Sequence, residues 1–223
     1  MRLAIFDVDG TLVDSRSMIV AAMTRAFADV SIAAPDQDRM LSIVGLSLVD
    51  AMAALTPEES AVTHRRLGEA YKQAFWTLRL SGDHPEALFH GARNLLEDLR
   101  ARGVVLGIAT GKSRRGVDHL IASHGFENWF QTVQTSDTHP SKPHPSMIVA
   151  ALAETGCEPA ATIMIGDTSF DMSMARQAGV AAAGVAWGNH PVAELESAGA
   201  QRVARDFKQL ALDLEALWEE RGR

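Results

Sequence analysis

The feature that most narrows what this chain can fold into is its opening stretch. Arg2 is followed by the unbroken apolar run Leu3-Ala4-Ile5-Phe6, which stops at Asp7-Val8-Asp9-Gly10-Thr11. A short run of this kind reads as a buried strand, and Gly10 frees the backbone to turn at its end. Residues two apart in a strand point the same way, so Asp7 and Asp9 project together from the C-terminal edge if the extended geometry persists past Phe6. Open parallel sheets bind their ligands at that edge. Two acids held close repel each other unless a cation sits between them or one takes up a proton, and hard oxygen ligands suit Mg²⁺.

After Gly10 the strand signal disappears. Met18, Ile19, Ala22, Met23, Ala26, Phe27 and Val30 recur at helical spacing, with Asp14 or Ser15 placed to cap the start. A short helix is expected from about 36 to 44, stopping at Gly45, and a third over 46–55. Thr56-Pro57-Glu58-Glu59 reads as a capping box that opens a fourth helix, with Val62, Ala70, Tyr71, Ala74, Phe75 and Leu78 expected in its buried stripe, and Ser81-Gly82-Asp83-His84-Pro85 breaks it. Residues 14–85 thus read as an all-helical block. Beyond it, strands are expected over 104–109, 131–135, 161–165 and 180–187, and helices over about 92–99, 113–124, 146–155, 170–178 and 192–198. Strands that alternate with helices predict an α/β fold, a parallel sheet with helices on both faces, into which the helical block is inserted.

A chain of 223 residues, 47% of them hydrophobic, can bury one core together with such an insertion. A net charge of -7 without a long basic run speaks against a nucleic acid or an anionic membrane as partner. The single Cys157 can form no internal disulfide, which fits a reducing compartment. Asp7 interrupts the first apolar run too soon for a signal peptide, and no later stretch is long enough to span a bilayer, so a cytoplasmic protein is expected.

In this arrangement Asp7, Asp9, Thr110 and Asp167 all fall just past the end of an inferred strand and converge on one sheet edge. Asp171, one helical turn after Asp167, can face the same side. Thr110-Gly111 offers a hydroxyl and a backbone amide ahead of a helix, suited to a phosphate oxygen, and Lys142 adds a positive charge, with Lys112 competing for that role. Carboxylates, a cation, amide donors and a lysine fit phosphoryl transfer, in which the charge of the transferring group must be neutralised.

Asp7-Val8-Asp9-Gly10-Thr11-Leu12-Val13-Asp14-Ser15, Thr110-Gly111, Lys142-Pro143-His144-Pro145 and Gly166-Asp167-Thr168-Ser169-Phe170-Asp171 resemble the four motifs of the haloacid dehalogenase-like hydrolase superfamily, in that family's order. The resemblance is greatest to its phosphoglycolate-phosphatase-like branch. It implies a Rossmann-like core made of 1–13 and 86–223 and a helical cap of 14–85. It also implies a nucleophilic Asp7 that becomes an aspartyl-phosphate, and an Asp9 that protonates the leaving oxygen and then activates water. Thr110, Gly111 and Lys142 would hold the phosphoryl group. Mg²⁺ would be held by the Asp7 carboxylate, the Asp9 backbone carbonyl, Asp167 and Asp171, the last directly or through water. The substrate expected from the resemblance is a small phosphomonoester, with 2-phosphoglycolate first, and the protein is expected as a monomer or homodimer.

Taken singly, the motifs have plainer readings. An Asp-x-Asp after a strand is more often a solvated turn, Thr-Gly is ordinary at a strand-to-helix junction, and Asp167 with Asp171 can simply favour a helix N-terminus. The neighbouring functions are a pyrophosphatase, a sugar-phosphate phosphatase, a β-phosphoglucomutase-like phosphotransferase, a dehalogenase and a non-enzymatic phospho-acceptor switch. Asp9 argues against the dehalogenase, Thr11 against the mutase, and the inserted helices against the switch. Gly45-Leu46-Ser47 occupies the place of that branch's substrate-reading loop, and Tyr71, Lys72 or Arg79 are candidates to reach a leaving-group carboxylate.

Overall fold

The first apolar run becomes β1 (Leu3–Phe6), which pairs on both sides within a six-stranded sheet. The structure is a computed structural model that describes residues 1–222. After β1 the chain forms β2 (Val13–Asp14) and the helices α1 (Arg16–Val30), α2 (Gln37–Leu41), α3 (Leu48–Leu55) and α4 (Ala61–Ser81). It returns through β3 (Ala87–Leu88), α5 (Ala92–Ala101), β4 (Val105–Thr110), α6 (Arg114–His124), β5 (Thr132–Thr135) and α7 (Ser146–Thr155). Then come β6 (Thr162–Gly166), α8 (Ser169–Ala178), β7 (Ala181–Val185), α9 (Val192–Ala198), β8 (Arg202–Ala204) and α10 (Phe207–Arg221). The strand order is β5-β4-β1-β6-β7-β8 and every neighbouring pair is parallel.

The unbroken apolar character of β1, β4 and β6 follows from burial on both faces. Ala4 and Phe6 join Leu106, Ile108, Ile163 and Ile165 in a core closed by Leu96 of α5, Leu120 of α6 and Leu214 of α10. Leu3 and Ile5 point the other way and join Val105, Ala109 and Met164 in a core closed by Ile148 of α7 and Met172 of α8. A fully buried Leu, Ile or Phe is worth about 1.5–3 kcal/mol, so these two layers, and not turn propensity, hold the sheet edge in place.

Helices α1 to α4 pack around a core of their own that includes Met23, Phe27, Met40, Met52 and Leu67. The chain enters and leaves this block through β2 and β3, which pair antiparallel with Val13 opposite Leu88 and Asp14 opposite Ala87. Asp14 is therefore in a strand, against the all-helical reading of 14–85; a two-residue strand is too short to leave a periodic signal.

Three local expectations change. The fourth helix is capped by Ser60, whose hydroxyl accepts from Thr63 N at 3.2 Å, not by Thr56. Thr56 instead closes α3: its hydroxyl donates to Met52 O at 2.8 Å, and its carbonyl accepts from Glu59 N at 3.0 Å and meets the His64 ring at 2.8 Å. The second and third helices are shorter than read, because Asp36 and Ser47 sit outside them as N-caps and 42–46 forms turns. At the C-terminus the sequence reading leaves out β8 and α10, although Phe207, Leu210, Leu214 and Leu217 form an apolar stripe behind the Asp206 cap. Among the described residues, no helix is long and apolar enough to cross a membrane.

Candidate active site

Three strand ends build the site. Asp7 continues β1, with its amide donating to Ile165 O at 2.9 Å, and the chain then turns at Gly10, whose φ of 85° suits glycine. Thr110 closes β4, and Asp167 follows the last residue of β6. Asp171 lies in the first turn of α8, where the Thr168 hydroxyl accepts from Asp171 N while the Asp171 carboxylate accepts from Thr168 N at 3.1 Å. That reciprocal cap fixes the Asp171 side chain one turn from Asp167.

Asp7, Asp167 and Asp171 are each no more than 1% exposed, and each turns an oxygen toward the others such that all three atoms lie within 4.8 Å of one another. They differ in what else they touch. Asp167 Oδ1 accepts from the Thr11 hydroxyl at 2.9 Å and Oδ2 from Asn189 N and Nδ2 at 2.8 and 2.9 Å. Asp171 accepts from Lys142 Nζ at 2.6 Å and from the Thr168 hydroxyl at 2.7 Å. Both Asp7 oxygens are buried without a hydrogen-bond partner; Lys142 Nζ stands 3.1 Å from Oδ1, in charge contact but not aligned for a hydrogen bond.

The electrostatics follow from that burial. Loss of water lifts the Asp7 carboxyl from 3.8 to about 6, with Lys142 pulling the other way and the Asp171 charge adding to the rise. Burial, then the charges of Asp7 and Asp171, lifts Asp167 to about 8 against the donors from Asn189 and Thr11. Burial works against the Lys142 ammonium, but Asp171 and Asp7 outweigh it and its pKa is raised. Three carboxylates facing one ammonium leave a negative excess in a dry site, together with two orphaned hard oxygens. This donor set is placed to hold a divalent metal ion.

The two lysines of the sequence reading part company here. Lys142 is 1% exposed and bound between Asp7 and Asp171. Lys112 goes to Asp9, with Nζ at 2.8 and 3.0 Å from its two oxygens, and to Glu86 at 3.1 Å. The Asp9 side chain is consequently turned toward Lys112 and is not part of the three-carboxylate cluster.

Apart from Gly10, several residues that shape this site were not singled out from the sequence. A Cβ on Gly188 would lie 2.0 Å from Asp167 Cβ, and one on Gly10 would lie 2.2 Å from Asp167 Oδ2, so these two glycines make the cradle in which Asp167 sits. Asn189 supplies two of its donors, and Arg16 of α1 holds that loop through Gly188 O at 2.7 Å and Asn189 Oδ1 at 3.2 Å. A glycine just past a strand end, as at Gly10 after β1 and Gly188 after β7, is the signal available in the sequence; the partner of each is not.

Above Asp7 a cavity of about 370 Å³ opens between the sheet edge and the helical block. Asp7, Asp9, Thr110 and Gly111 line one end, Ile19 and Met23 of α1, Val44 and Leu46 of the turn before α3, and Phe75 and Trp76 of α4 another. Lys142, Asp167 and Asp171 are buried beside Asp7 and do not line it. The block lies close: a Cβ on Gly111 would come within 2.6 Å of the carbonyl oxygens of Gly45 and Leu46, and Ser47 N donates to Ser141 Oγ at 2.7 Å. Of the three residues considered for a leaving-group carboxylate, Arg79 is held by Glu86 at 2.7 Å and Lys72 by Glu69 at 2.8 Å, leaving Tyr71 without a charge to offer.

Known proteins bear on this arrangement. Residues 4–185 match the family described as Haloacid dehalogenase-like hydrolase. The chain is 36% identical over 213 residues to the Probable phosphatase IndB of Dickeya dadantii (strain 3937), covering 93% of this chain and 91% of that one. It is 28% identical over 214 residues to the Pyrophosphatase PpaX of Oceanobacillus iheyensis, covering 94% and 95%. Its fold is similar to the crystal structure of a hydrolase from Pseudomonas syringae, with a TM-score of 0.86 and 28% identity over 97% of this chain and 99% of that one. A family match that runs through β1, the inserted helices and the strands that carry Thr110 and Asp167 leads to one conclusion: this chain belongs to the haloacid dehalogenase-like hydrolases.

Proposed function

We propose that the protein is a Mg²⁺-dependent phosphatase that hydrolyses a small organic phosphomonoester through an aspartyl-phosphate on Asp7. The observation that carries this reading is the state of Asp7: both carboxylate oxygens are buried and unpartnered at the end of a cavity, with an ammonium 3.1 Å away. A carboxylate in that position is poorly solvated and has room for an electrophile, as a nucleophile requires.

In the first step an Asp7 oxygen forms a bond to phosphorus while the bond from phosphorus to the ester oxygen breaks, and Asp9 gives its proton to the departing alkoxide. In the second, a water oxygen attacks phosphorus, Asp9 takes the water's proton, and the bond to Asp7 breaks to release inorganic phosphate and restore the carboxylate. Lys112 donates to both Asp9 oxygens and holds the side chain at the cavity wall when it is a carboxylate. Thr110 and Gly111 orient the phosphoryl group, and Lys142 balances its charge while keeping Asp7 and Asp171 apart. Mg²⁺, which the oxygens of Asp7, Asp167 and Asp171 would hold, supplies positive charge against the phosphoryl oxygens. Residues 14–85 act as the cap over the cavity.

The test is phosphate release from a panel of monoesters, 2-phosphoglycolate and pyrophosphate among them, with Mg²⁺ and with EDTA, together with acid-stable capture of the phosphoenzyme. Turnover that needs the metal, and disappears in Asp7→Asn, is the expected result. Turnover unaffected by EDTA, or a phosphoenzyme formed on another residue, would remove the proposal.

A further inference from the structure

We infer that the leaving group of this enzyme's substrate is an apolar alcohol, an alkyl or aryl body larger than glycolate, and not a hydroxy acid, a sugar or a second phosphate. The inference rests on the phosphatase reading above and extends it to the substrate's other half. Beyond Asp7 and Asp9 the cavity wall is built from Ile19, Met23, Val44, Leu46, Phe75 and Trp76. At about 370 Å³ it has the size that accepts ligands well beyond a two-carbon acid. A glycolate or phosphate leaving group would leave most of that apolar wall facing trapped water, with no gain from burial.

Most of the polar side chains in the wall point the same way, because they are already engaged; the Tyr71 hydroxyl, with no hydrogen-bond partner among the described residues, is an exception. Lys112 is bound to both oxygens of Asp9 and to Glu86, at 2.8, 3.0 and 3.1 Å. Arg79 is bound to Glu86 through Nε at 2.7 Å, and Phe75 lies under both cations, 5.0 Å from Lys112 Nζ and 4.9 Å from the Arg79 guanidinium carbon. Lys72 pairs with Glu69 with its side chain 56% exposed. The Ser47 hydroxyl donates to Asp50 at 2.6 Å and the Ser113 hydroxyl accepts from Gly116 N at 3.3 Å. Arg115 has no carboxylate partner among the described residues, but its guanidinium carbon lies 3.7 Å over the Trp76 ring. Apart from Arg115, the charged groups would have to give up a partner to recognise a carboxylate or a sugar; an apolar body displaces none of them.

The experiment is kcat/KM for n-alkyl phosphates from methyl to hexyl, with phenyl phosphate, 2-phosphoglycolate and pyrophosphate alongside, all with Mg²⁺. The alkyl esters share one leaving-group chemistry, so the series reads burial alone. The expected result is a rise of about fourfold per methylene until the cavity is full, with the longer esters ahead of phosphoglycolate and pyrophosphate. Leu46→Asp, in the half-buried turn that lines the cavity, should cut hexyl phosphate at least about tenfold more than methyl phosphate. A flat alkyl series, an unchanged hexyl-to-methyl ratio in Leu46→Asp, or a tenfold preference for phosphoglycolate that Arg115→Gln removes, would overturn the inference and leave the phosphatase reading standing. No hydrolysis of any ester would overturn that reading and the inference with it.

Discussion

Asp167→Asn tests the electrostatics of the site in isolation from its packing. Asparagine has the same shape and leaves no cavity, its oxygen can keep the two Asn189 donors, and its amide can donate to the Thr11 hydroxyl once that hydroxyl turns, at the cost of the hydroxyl's own acceptor. What the change removes is one buried negative charge. The Asp167 carboxyl is lifted from 3.8 to about 8, so the folded protein binds this proton more tightly than the unfolded chain does, and the penalty on stability grows as pH rises through that window. Four units at about 1.4 kcal/mol each set a ceiling of about 6 kcal/mol. Asp7 and Asp171 share the same repulsion, so the part recovered by neutralising one member should be about 2–3 kcal/mol.

In the absence of metal at about pH 8.5, Asp167→Asn should therefore unfold about 4–12 °C above the wild type, and the difference should shrink toward pH 5. With Mg²⁺ most of that difference should disappear. A metal at a hundred times its Kd stabilises by about 2.7 kcal/mol, so the wild type should gain about 5–10 °C and the variant almost nothing. Thermal unfolding by circular dichroism at two pH values, with EDTA and with Mg²⁺, gives all four numbers. A variant that unfolds below the wild type in EDTA, or one that keeps the whole Mg²⁺ shift, would refute the reasoning, since the three acids would then be a structural cluster and not a metal site.

Three further outcomes are expected. Asp7→Asn should abolish turnover without lowering the unfolding temperature in EDTA at neutral pH, because it too relieves a buried carboxylate whose pKa is raised to about 6; retained activity would rule out Asp7 as the nucleophile. Lys142→Met should cost about 3–5 kcal/mol in urea unfolding, since it strands Asp7 and Asp171 without their counter-ion, and a loss under about 1 kcal/mol would show that the pair is not held as described. Gly111→Ala should lower kcat/KM by about tenfold with little change in unfolding temperature, because the new Cβ meets the backbone carbonyls of Gly45 and Leu46 at 2.6 Å and pushes the cap's turn off the site; wild-type kinetics would show that this turn does not need to close on Gly111.

How far the chain could be read in advance depended on whether a residue's role rests on spacing or on a partner. The strands β1, β4 and β6 were legible because a run buried on both faces has no polar interruptions, and the end of each run marks the sheet edge where Asp7, Thr110 and Asp167 emerge. The start of α4 was not legible: Thr56-Pro57-Glu58-Glu59 and Ser60-Ala61-Val62-Thr63 are both plausible caps, and in the fold the Thr56 hydroxyl turns back to Met52 O while the Ser60 hydroxyl accepts from Thr63 N. Nor could the sequence assign the two lysines. Each follows a strand end and each carries one charge, but Lys142 is bound among the buried acids while Lys112 is drawn to Asp9 and to Glu86, which stands next to β3 where the chain leaves the cap. Glu86 also binds Arg79 of α4, so the cap's last helix and the proposed acid-base residue compete for one network of charges. Any movement of α4 that draws Arg79 away from Glu86 leaves Lys112 as that carboxylate's sole remaining cation and weakens its hold on Asp9. Arg79 of α4 and the Asp9 side chain are thus linked through Glu86 and Lys112, by contacts that no local pattern announces.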